Sequence, residues 1–494
     1  MLNQIRQDRI KKLENFKNAG INPYPAGPFD KEELVGALKK PVGELVKVAG
    51  RIMLMRIMGN IAFLTLQDES GRGQVVLNKK ELSAGEDYKL WVKNLDIGDF
   101  IGVEGGRFDT QKGEKSVLAR QLTLLSKSIH PLPDKHKMLQ NEDEKLRKRY
   151  LDIIFNPEVK EMIRKKDFFW NSVRSFLKQR NFTEVETPVL EVTAGGGDAN
   201  PFITHHNALD LDVYLRISMG ELWQKRLMVA GLEKTFEIGR QFRNEGMDAE
   251  HLQDYTQMEF YWAYANYRQG MELVKELYRY VAQETFGTTK FKIKDFEVDL
   301  ADEWKEYDYA QTIREMTGVD IFNASLDEIL KKLEELGVRY KKEGLNLNRA
   351  IDNLWKYCRK SISGPGFLVN EPVSMSPLAK RSTTNPELTE RFHVLIAGSE
   401  LGNGYSELND PIDQAERFRK QQALRDAGDD EAQMHDQDFV EALEYGMPPT
   451  CGFGMSERVF SFLMNKTARE CQIFPLMKPK SVGAGAQSTD KEII

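Results

Sequence analysis

Residues 232–264 read LEKTFEIGRQFRNEGMDAEHLQDYTQMEFYWAY, and this stretch decides the fold that we predict for the chain. Two strand-like runs flank the polar segment 246–254, as in a long β-hairpin. Because successive side chains of a strand alternate between its faces, the second run has one polar, aromatic face and one mainly apolar face. The first face comprises Tyr255, Gln257, Glu259 and Tyr261, and the second comprises Thr256, Met258, Phe260 and Trp262.

The first run of the hairpin has the same two-faced pattern. Its polar face comprises Glu237, Gly239, Gln241 and Arg243, and its apolar face comprises Phe236, Ile238 and Phe242, with Arg240 as the exception. An ordinary solvated sheet face also alternates, so alternation alone leaves that interpretation open. The residue types equally suit a pocket that holds an anion on Arg243, stacks a planar ring on Tyr255 and pairs a cation with Glu259.

The bulk composition is that of an ordinary globular protein. The 494 residues, 40% hydrophobic and 30% charged, allow two to four domains with a large core. No apolar run approaches the roughly 20 residues of a transmembrane helix, and the N-terminus lacks the apolar segment of a signal peptide. Cys358, Cys451 and Cys471 have no zinc-like spacing, so we expect a cytoplasmic protein without membrane association. The net charge of −6 neither indicates nor excludes nucleic-acid binding, because local patches set the field near a groove.

Three blocks of the sequence resemble class II aminoacyl-tRNA synthetases, and lysyl-tRNA synthetases in particular. FRNEG, a short loop with His251, and YTQMEFY resemble the second signature motif of that class. PPTCGFGMSERVFSFL, residues 448–463, resembles the third motif, and residues 390–418 resemble the lysyl enzyme's ELxNGxELxxGxxELND block. The resemblance implies an α+β fold: an N-terminal OB-fold β-barrel, plus a class II synthetase catalytic domain built on a mostly antiparallel β-sheet flanked by helices.

Changes of composition along the chain suggest its domain boundaries. The proline-broken segment from His130 and the charged run NEDEKLRKR place a boundary near residue 140. We expect an N-terminal amphipathic helix in 1–30, an OB-fold anticodon-binding domain in 31–140 and a catalytic domain in 141–480. Within the last we expect a charged helical insertion near 320–365, and after it a disordered tail, 481–494.

Short strands separated by GN, ESGRG and QKGEK indicate a small closed barrel between Val46 and Ser126. Aromatic side chains on such barrels stack unpaired bases, although Phe63 also suits an ordinary barrel core. The text around it resembles the anticodon-binding barrel of lysyl-tRNA synthetases. This resemblance implies that Arg56, Phe63 and Gln74 contact anticodon bases of tRNA.

Nucleotide handling must rely on side chains of a sheet, because the sequence contains no GxxxxGK[ST], GxGxxG, GxSxG, HExxH, HIGH or KMSKS motif. Activating a carboxylate with ATP needs no enzyme nucleophile, only positioned groups that stabilise charge. The resemblance implies Arg243 and Arg458 as catalytic, phosphate-binding residues. The implied ATP-binding set is Arg243, Glu245, His251, Tyr255, Glu400 and Arg458.

The resemblance also implies a site for lysine, formed by Gly196, Glu221, Glu259, Tyr261, Asn403 and Glu407. Carboxylates in a partly desolvated pocket favour an ammonium group. In an ideal strand Glu400 and Glu407 would face opposite sides, so we expect Gly402 and Gly404 to provide a bulge or turn.

The sequence departs from the lysyl family at several positions. LRISMGEL is one residue longer than the usual LRI[AS]xEL, so Glu221 keeps its place only if Gly220 absorbs the insertion. Glu400 matches a magnesium-binding carboxylate, but His393 stands where another glutamate is expected, and neutral imidazole is a poor Mg²⁺ ligand. The number of Mg²⁺ ions is therefore open, and His393 has a phosphate contact as its alternative role. GMSER replaces GxGIDR, and NPF at Asn200 replaces RPF.

These observations predict a homodimeric enzyme that joins lysine to tRNA with ATP and Mg²⁺, through a lysyl-adenylate. FTEVETPVLEV after Phe182 resembles the first class II motif, which builds the dimer interface. Two alternatives remain: a related ligase for another or a modified amino acid, and a catalytically inactive paralogue that binds tRNA.

Overall fold

The computed structural model describes residues 2–133, 141–197, 199–246, 248, 250–341, 345–429 and 432–479. The chain divides between Phe155 and Asn156 into two compact units. The boundary predicted near residue 140 and the tail 481–494 lie outside the described residues.

The first unit is built on a closed barrel with strand order β1-β2-β3-β5-β4. Its strands are β1 (Leu45–Met58), β2 (Ile61–Gln67), β3 (Arg72–Asn78), β4 (Phe100–Asp109) and β5 (Lys115–Ser126). Its helices are α1 (Leu2–Asn18), α2 (Leu34–Ala37), α3 (Tyr88–Asn94), α4 (Glu142–Arg147) and α5 (Arg149–Phe155). Alternate side chains of β2, among them Ala62, Leu64 and Leu66, fill the barrel interior, so the barrel predicted from the sequence is confirmed.

The second unit is built on an eight-stranded sheet with the order β14-β15-β16-β17-β18-β11-β10-β6. Only the pairs β14–β15 and β10–β6 are parallel, so the predicted mostly antiparallel sheet is confirmed. Its strands are β6 (Thr183–Glu184), β10 (Lys234–Phe242), β11 (Asp254–Ala263), β14 (Lys305–Asp308), β15 (Gly366–Val369), β16 (Arg391–Ile396), β17 (Ser399–Ser406) and β18 (Thr450–Ser456). Two small sheets contain β7 (Leu190–Glu191), β8 (Ile203–His206), β9 (Leu211–Leu215), β12 (Lys290–Ile293) and β13 (Phe296–Asp299).

Helices surround this sheet. They are α6 (Pro157–Lys178), α7 (Glu221–Val229), α8 (Tyr267–Phe286), α9 (Tyr309–Thr317), α10 (Leu326–Glu335), α11 (Leu347–Cys358), α12 (Pro411–Asp426), α13 (Gln437–Glu444) and α14 (Arg458–Leu463), with 3₁₀ turns at Arg359–Ser361 and Val373–Met375. Helices α10 and α11 fall in the stretch predicted as a charged insertion, and they pack with α9 around the buried Trp355. Across the described ranges, no helix is both long and apolar enough to cross a membrane.

Strands β10 and β11 form the hairpin predicted from residues 232–264. Phe236 lies opposite Phe260 and Glu237 opposite Glu259 in the antiparallel register. The apolar face is buried, with the Phe260 ring centroid 5.3 Å from that of Phe182. The polar face of β11 is therefore directed away from this core, toward the cavity described next.

Candidate active site

A cavity of about 360 Å³ lies on the polar face of the eight-stranded sheet. Strands β11, β17 and β18 supply its floor, and helix α7 and the β10–β11 loop supply its walls. The cavity brings together nearly all of the catalytic-domain residues singled out in the sequence: Gly196, Glu221, Arg243, His251, Tyr255, Glu259, Tyr261, His393, Glu400, Asn403, Glu407 and Arg458. Glu245 is exposed and does not belong to the lining, so the structure does not group it with the others.

Glycines of β18 allow acidic side chains to lie directly above the sheet. A Cβ atom at position 452 would stand 2.1 Å from Oε1 of Glu407 and 2.7 Å from Cε1 of Tyr261. A Cβ at position 454 would stand 3.0 Å from Cγ of Glu259. The sequence CGFG is thus the local requirement for a carboxylate-lined floor.

Gly220 absorbs the one-residue insertion before helix α7. Its φ of +67° lies in the left-handed region, and a Cβ there would meet Oγ1 of Thr187 at 2.0 Å. Glu221 follows as the first residue of α7, buried and facing the cavity. Glu221 thus lines the cavity even though the sequence before it is one residue longer.

A β-bulge brings Glu400 and Glu407 to the same cavity. Val394 pairs with Gly402 and Leu395 pairs with Glu400, which leaves Leu401 as the extra residue of β17. The extra residue reverses the alternation of side chains between the two glutamates. The bulge expected near Gly402 is confirmed.

Glu221, Glu259 and Glu407 form the carboxylate cluster at one end of the cavity. Glu259 accepts hydrogen bonds from the Tyr261 hydroxyl at 3.0 Å, from Nε2 of Gln257 at 2.7 Å and from a backbone N–H at 3.0 Å. Burial, reinforced by the charge of Glu221, raises the pKa of Glu259 to about 7. Burial likewise raises the pKa of Glu407 to about 8. Such carboxyl groups lose their protons readily when a cation arrives.

Lys225 lies behind the carboxylate cluster and was not identified from the sequence. Its Nζ donates to Oε1 of Glu221 at 2.8 Å and lies 2.6 Å from Oε2 of Glu407. Burial lowers the pKa of Lys225, but the two carboxylates outweigh it and raise that pKa. Tyr405, also missed, donates its hydroxyl proton to Glu221. The Glu221–Lys225 spacing resembles an ordinary exposed i, i+4 pair, so the sequence gives no sign of burial.

Two arginines, Arg243 and Arg458, also line the cavity. Nη2 of Arg243 lies 3.6 Å from the position that a Cβ of Gly197 would take. Nη2 of Arg458 donates to Oε2 of Glu250 at 2.7 Å, while its Nε is buried without a hydrogen-bond partner among the described residues. Burial alone would raise the pKa of Glu250. A hydrogen bond from Lys294 and the charge of Arg458 outweigh burial and lower that pKa to about 2. Glu250 therefore keeps its charge and holds the Arg458 guanidinium.

Tyr255 and His251 also line the cavity. Nε2 of Gln241 donates to the Tyr255 hydroxyl and fixes that ring. Nδ1 of His251 lies 2.9 Å from the carboxylate of Asp248. Tyr255 is thereby presented as a half-exposed aromatic wall.

His393 lies between two carboxylates. Its Nε2 is 3.3 Å from Oε1 of Glu371, and its Nδ1 is 3.4 Å from Oε2 of Glu400. Burial alone would raise the pKa of Glu371. Its contacts with Arg391 and His393 outweigh burial and lower that pKa to about 2. In the described part of the chain, no group of three or more His, Cys, Asp or Glu side chains is arranged to hold a metal ion. Glu371 is already paired with the guanidinium of Arg391, which leaves Glu400 as the carboxylate facing the cavity here.

The predicted anticodon residues share one outer face of the barrel. Arg56 of β1 pairs in register with Phe63 of β2, and Gln74 of β3 pairs with Thr65 two residues further along β2. Phe63 is half-buried, in contrast to its fully buried neighbours Ala62 and Leu64. Its ring thus lies on the outer surface and not in the barrel core.

Fold and cavity together define the class of protein: an OB-fold unit joined to a catalytic unit of the class II aminoacyl-tRNA synthetase type. The family model of the OB-fold nucleic acid binding domain matches residues 46–125. The family model of the class II tRNA synthetases (D, K and N) matches residues 141–478. The chain belongs to this class II tRNA synthetase family.

Lysine–tRNA ligases of several organisms are similar to this chain over nearly its full length. The ligase of Thermoanaerobacter pseudethanolicus is 44% identical over 490 residues, covering 97% of each chain. Those of Thermosipho melanesiensis and Thermotoga maritima are each 41% identical, again covering 97% of both chains.

Proposed function

We propose that the protein attaches lysine to tRNA in an ATP-dependent reaction with a lysyl-adenylate intermediate. One observation carries this proposal: a single cavity is lined both by the carboxylate cluster and by Arg243 and Arg458. An amine that binds the carboxylates and a triphosphate that binds the arginines meet within this cavity. The full-length similarity to lysine–tRNA ligases supports the same conclusion.

The first half-reaction needs positioning and charge stabilisation from this chain. A carboxylate oxygen of lysine attacks the α-phosphorus of ATP, and pyrophosphate leaves as the mixed anhydride forms. Arg243 and Arg458 stabilise the phosphate charge, and Tyr255 stacks the adenine ring. In the second half-reaction the terminal hydroxyl of tRNA attacks the anhydride carbonyl, and AMP leaves.

The lysine side chain is recognised by charge and by hydroxyl groups. Its ammonium group pairs with Glu259 and the cluster around it, and Tyr261 and Asn403 provide polar contacts along the same wall. Oδ1 of Asn403 accepts from Nε of Arg391 at 2.9 Å, which fixes the amide orientation. Gly196, with φ of +84°, lets the loop pass close to Glu221. Side chains that lack an ammonium would leave buried carboxylates unpaired, at a cost of about 2–5 kcal/mol.

Magnesium fits this site in a limited way. Mg²⁺ usually keeps several waters and binds through one or two carboxylates together with substrate phosphates, so Glu400 alone is a sufficient protein ligand for one ion. Such an ion would neutralise part of the triphosphate charge. His393 lies beside Glu400, and Glu371 is paired with the guanidinium of Arg391. We therefore propose one ion held by Glu400, with His393 next to the phosphates.

The barrel would bind the tRNA and recognise its bases. Phe63 offers a ring for base stacking, and Arg56 and Gln74 lie on the same face to contact phosphate and base edges. The anticodon is the proposed target because unpaired bases expose their faces to such platforms.

A homodimer is proposed from the surface that follows helix α6. Phe168 of α6 is 63% exposed, and Val189, Leu190 and Val192 are 42%, 49% and 63% exposed. Large apolar side chains exposed in this way are typical of interaction surfaces, and they support the proposed dimer. Light scattering at micromolar concentration tests this, with a mass near twice 56.8 kDa expected. The free, buried cysteines Cys358, Cys451 and Cys471 agree with a reducing, cytoplasmic location.

The decisive experiment is pyrophosphate exchange with each amino acid in turn, in the presence of ATP and Mg²⁺. Lysine alone is expected to stimulate the exchange. Stimulation by a different or a modified amino acid would favour a related ligase, and no stimulation by any would favour an inactive tRNA-binding paralogue.

A further inference from the structure

The ammonium group of Lys225 is fully buried, yet it does not line the cavity. Lys225 is 1% exposed, and the cavity lining contains its partners Glu221 and Glu407 but not Lys225 itself. Its Nζ lies 2.8 Å from one carboxylate and 2.6 Å from the other, and about 5.3 Å from the centre of the Tyr405 ring. The protein thus contains its own ammonium group at the back of the site that we propose for the ammonium group of lysine.

The groups facing Lys225 come from several elements. Glu221 belongs to its own helix α7, Tyr405 and Glu407 belong to β17 and the residue after it, and Phe439 of α13 lies 5.9 Å from Nζ. Glu259 of β11 raises the pKa of Glu407, whereas Lys225 lowers it. Two adjacent buried carboxylates without a cation would hold a proton between them.

We propose that Lys225 is a positioning and specificity-determining residue that fixes Glu221 and Glu407 and favours their ionised forms before substrate binds. The substrate's ammonium then joins a preformed carboxylate site from the cavity side. This inference rests on the proposed lysine pocket. Lys225 offsets one of the three carboxylate charges of the cluster, so negative charge remains to pair with the substrate's ammonium group.

Removal of the positive charge of Lys225 is expected to weaken the binding of lysine and not the binding of ATP. Lys225→Met keeps the length of the side chain and removes its charge. We expect the KM for lysine in pyrophosphate exchange to rise about tenfold or more at pH 7, with the KM for ATP and the kcat at saturating lysine nearly unchanged. The KM for lysine should fall as the pH rises, and in Lys225→Met this fall should occur at higher pH than in the wild type. Without the Lys225 charge, the carboxyl groups lose their protons at higher pH.

Three further variants separate charge from shape. Lys225→Arg keeps the charge and should keep the wild-type pH profile, even if its KM is altered by size. Lys420→Met is the matched control, since Lys420 has the same i, i+4 pairing with Glu416 at 2.7 Å but is 69% exposed. In a Glu407→Gln background the additional loss of Lys225 should raise the KM for lysine by a smaller factor than in the wild type, because Glu221 is then the one charged partner that Lys225 still serves.

Each outcome is decisive. A wild-type KM and pH profile in Lys225→Met, or an unshifted pH profile with equal losses in Lys225→Met and Lys225→Arg, would overturn the proposal. If Lys225→Met does not fold, as judged by thermal melting, the Glu407→Gln pair carries the test, and a further tenfold loss in the double variant refutes it. Failure of wild-type protein to show lysine-dependent exchange would instead refute the proposed function.

Discussion

The tight contact between Gly452 and Glu407 predicts the effect of one added methyl group. In Gly452→Ala the new Cβ would lie 2.1 Å from Oε1 of Glu407, whereas ordinary contacts begin at 3.4 Å. The carboxylate must therefore retreat by about 1 Å or more, and a misplacement of about 1 Å can cost roughly 100-fold in rate. We expect kcat/KM for lysine to fall by about this factor, with a loss of about 1–3 kcal/mol in stability from overpacking.

Pyrophosphate exchange at varied lysine and ATP concentrations measures the effect, and thermal melting confirms that the variant is folded. Gly454→Ala is the graded comparison, because its Cβ would lie 3.0 Å from Glu259 and needs a shift of only a few tenths of an ångström. Gly106→Ala in β4 is the neutral control, since no heavy atom lies within 4 Å of its Cβ. The reasoning would be refuted if Gly452→Ala kept the wild-type kcat/KM for lysine. It would also be refuted if kcat/KM for ATP fell by the same factor as kcat/KM for lysine.

Glu250→Gln should lower the KM for ATP up to about fivefold, because it releases Arg458 from a partly exposed ion pair worth about 0.2–1 kcal/mol; an unchanged or higher KM contradicts this. Since Glu259 and Glu407 have pKa values of about 7 and about 8, they are protonated at about pH 6 and ionised at about pH 9. The ionised forms attract ammonium, so the KM for lysine should fall as the pH rises across this interval; a rise would contradict the assignment. Phe63→Ala should raise the KM for tRNA about tenfold in aminoacylation while leaving tRNA-independent exchange unchanged; an effect on exchange would argue against a role confined to tRNA.

Much of the second unit was predictable because local patterns and tertiary packing agree. The alternation in β11 placed Glu259 toward the cavity and Phe260 toward the core, and the structure has both there. The glycines around residue 402 indicated a break in alternation, and the bulge at Leu401 provides it.

Other features depend on contacts between distant segments and left no local signal. Lys225 and Glu407 are separated by more than a third of the chain, and the fold brings their charges together. Glu250 was not singled out in the sequence, but the fold places it against Arg458. Glu245 belongs to a recognisable motif, and in this structure its side chain is exposed outside the cavity lining.

The most direct test compares lysine-stimulated pyrophosphate exchange in the wild-type protein and in Arg458→Met. A cavity that binds an amine at its carboxylates and a triphosphate at its arginines predicts lysine-dependent exchange that Arg458→Met severely reduces. Exchange driven by another amino acid, or full activity without the Arg458 guanidinium, would contradict the assignment of both ends.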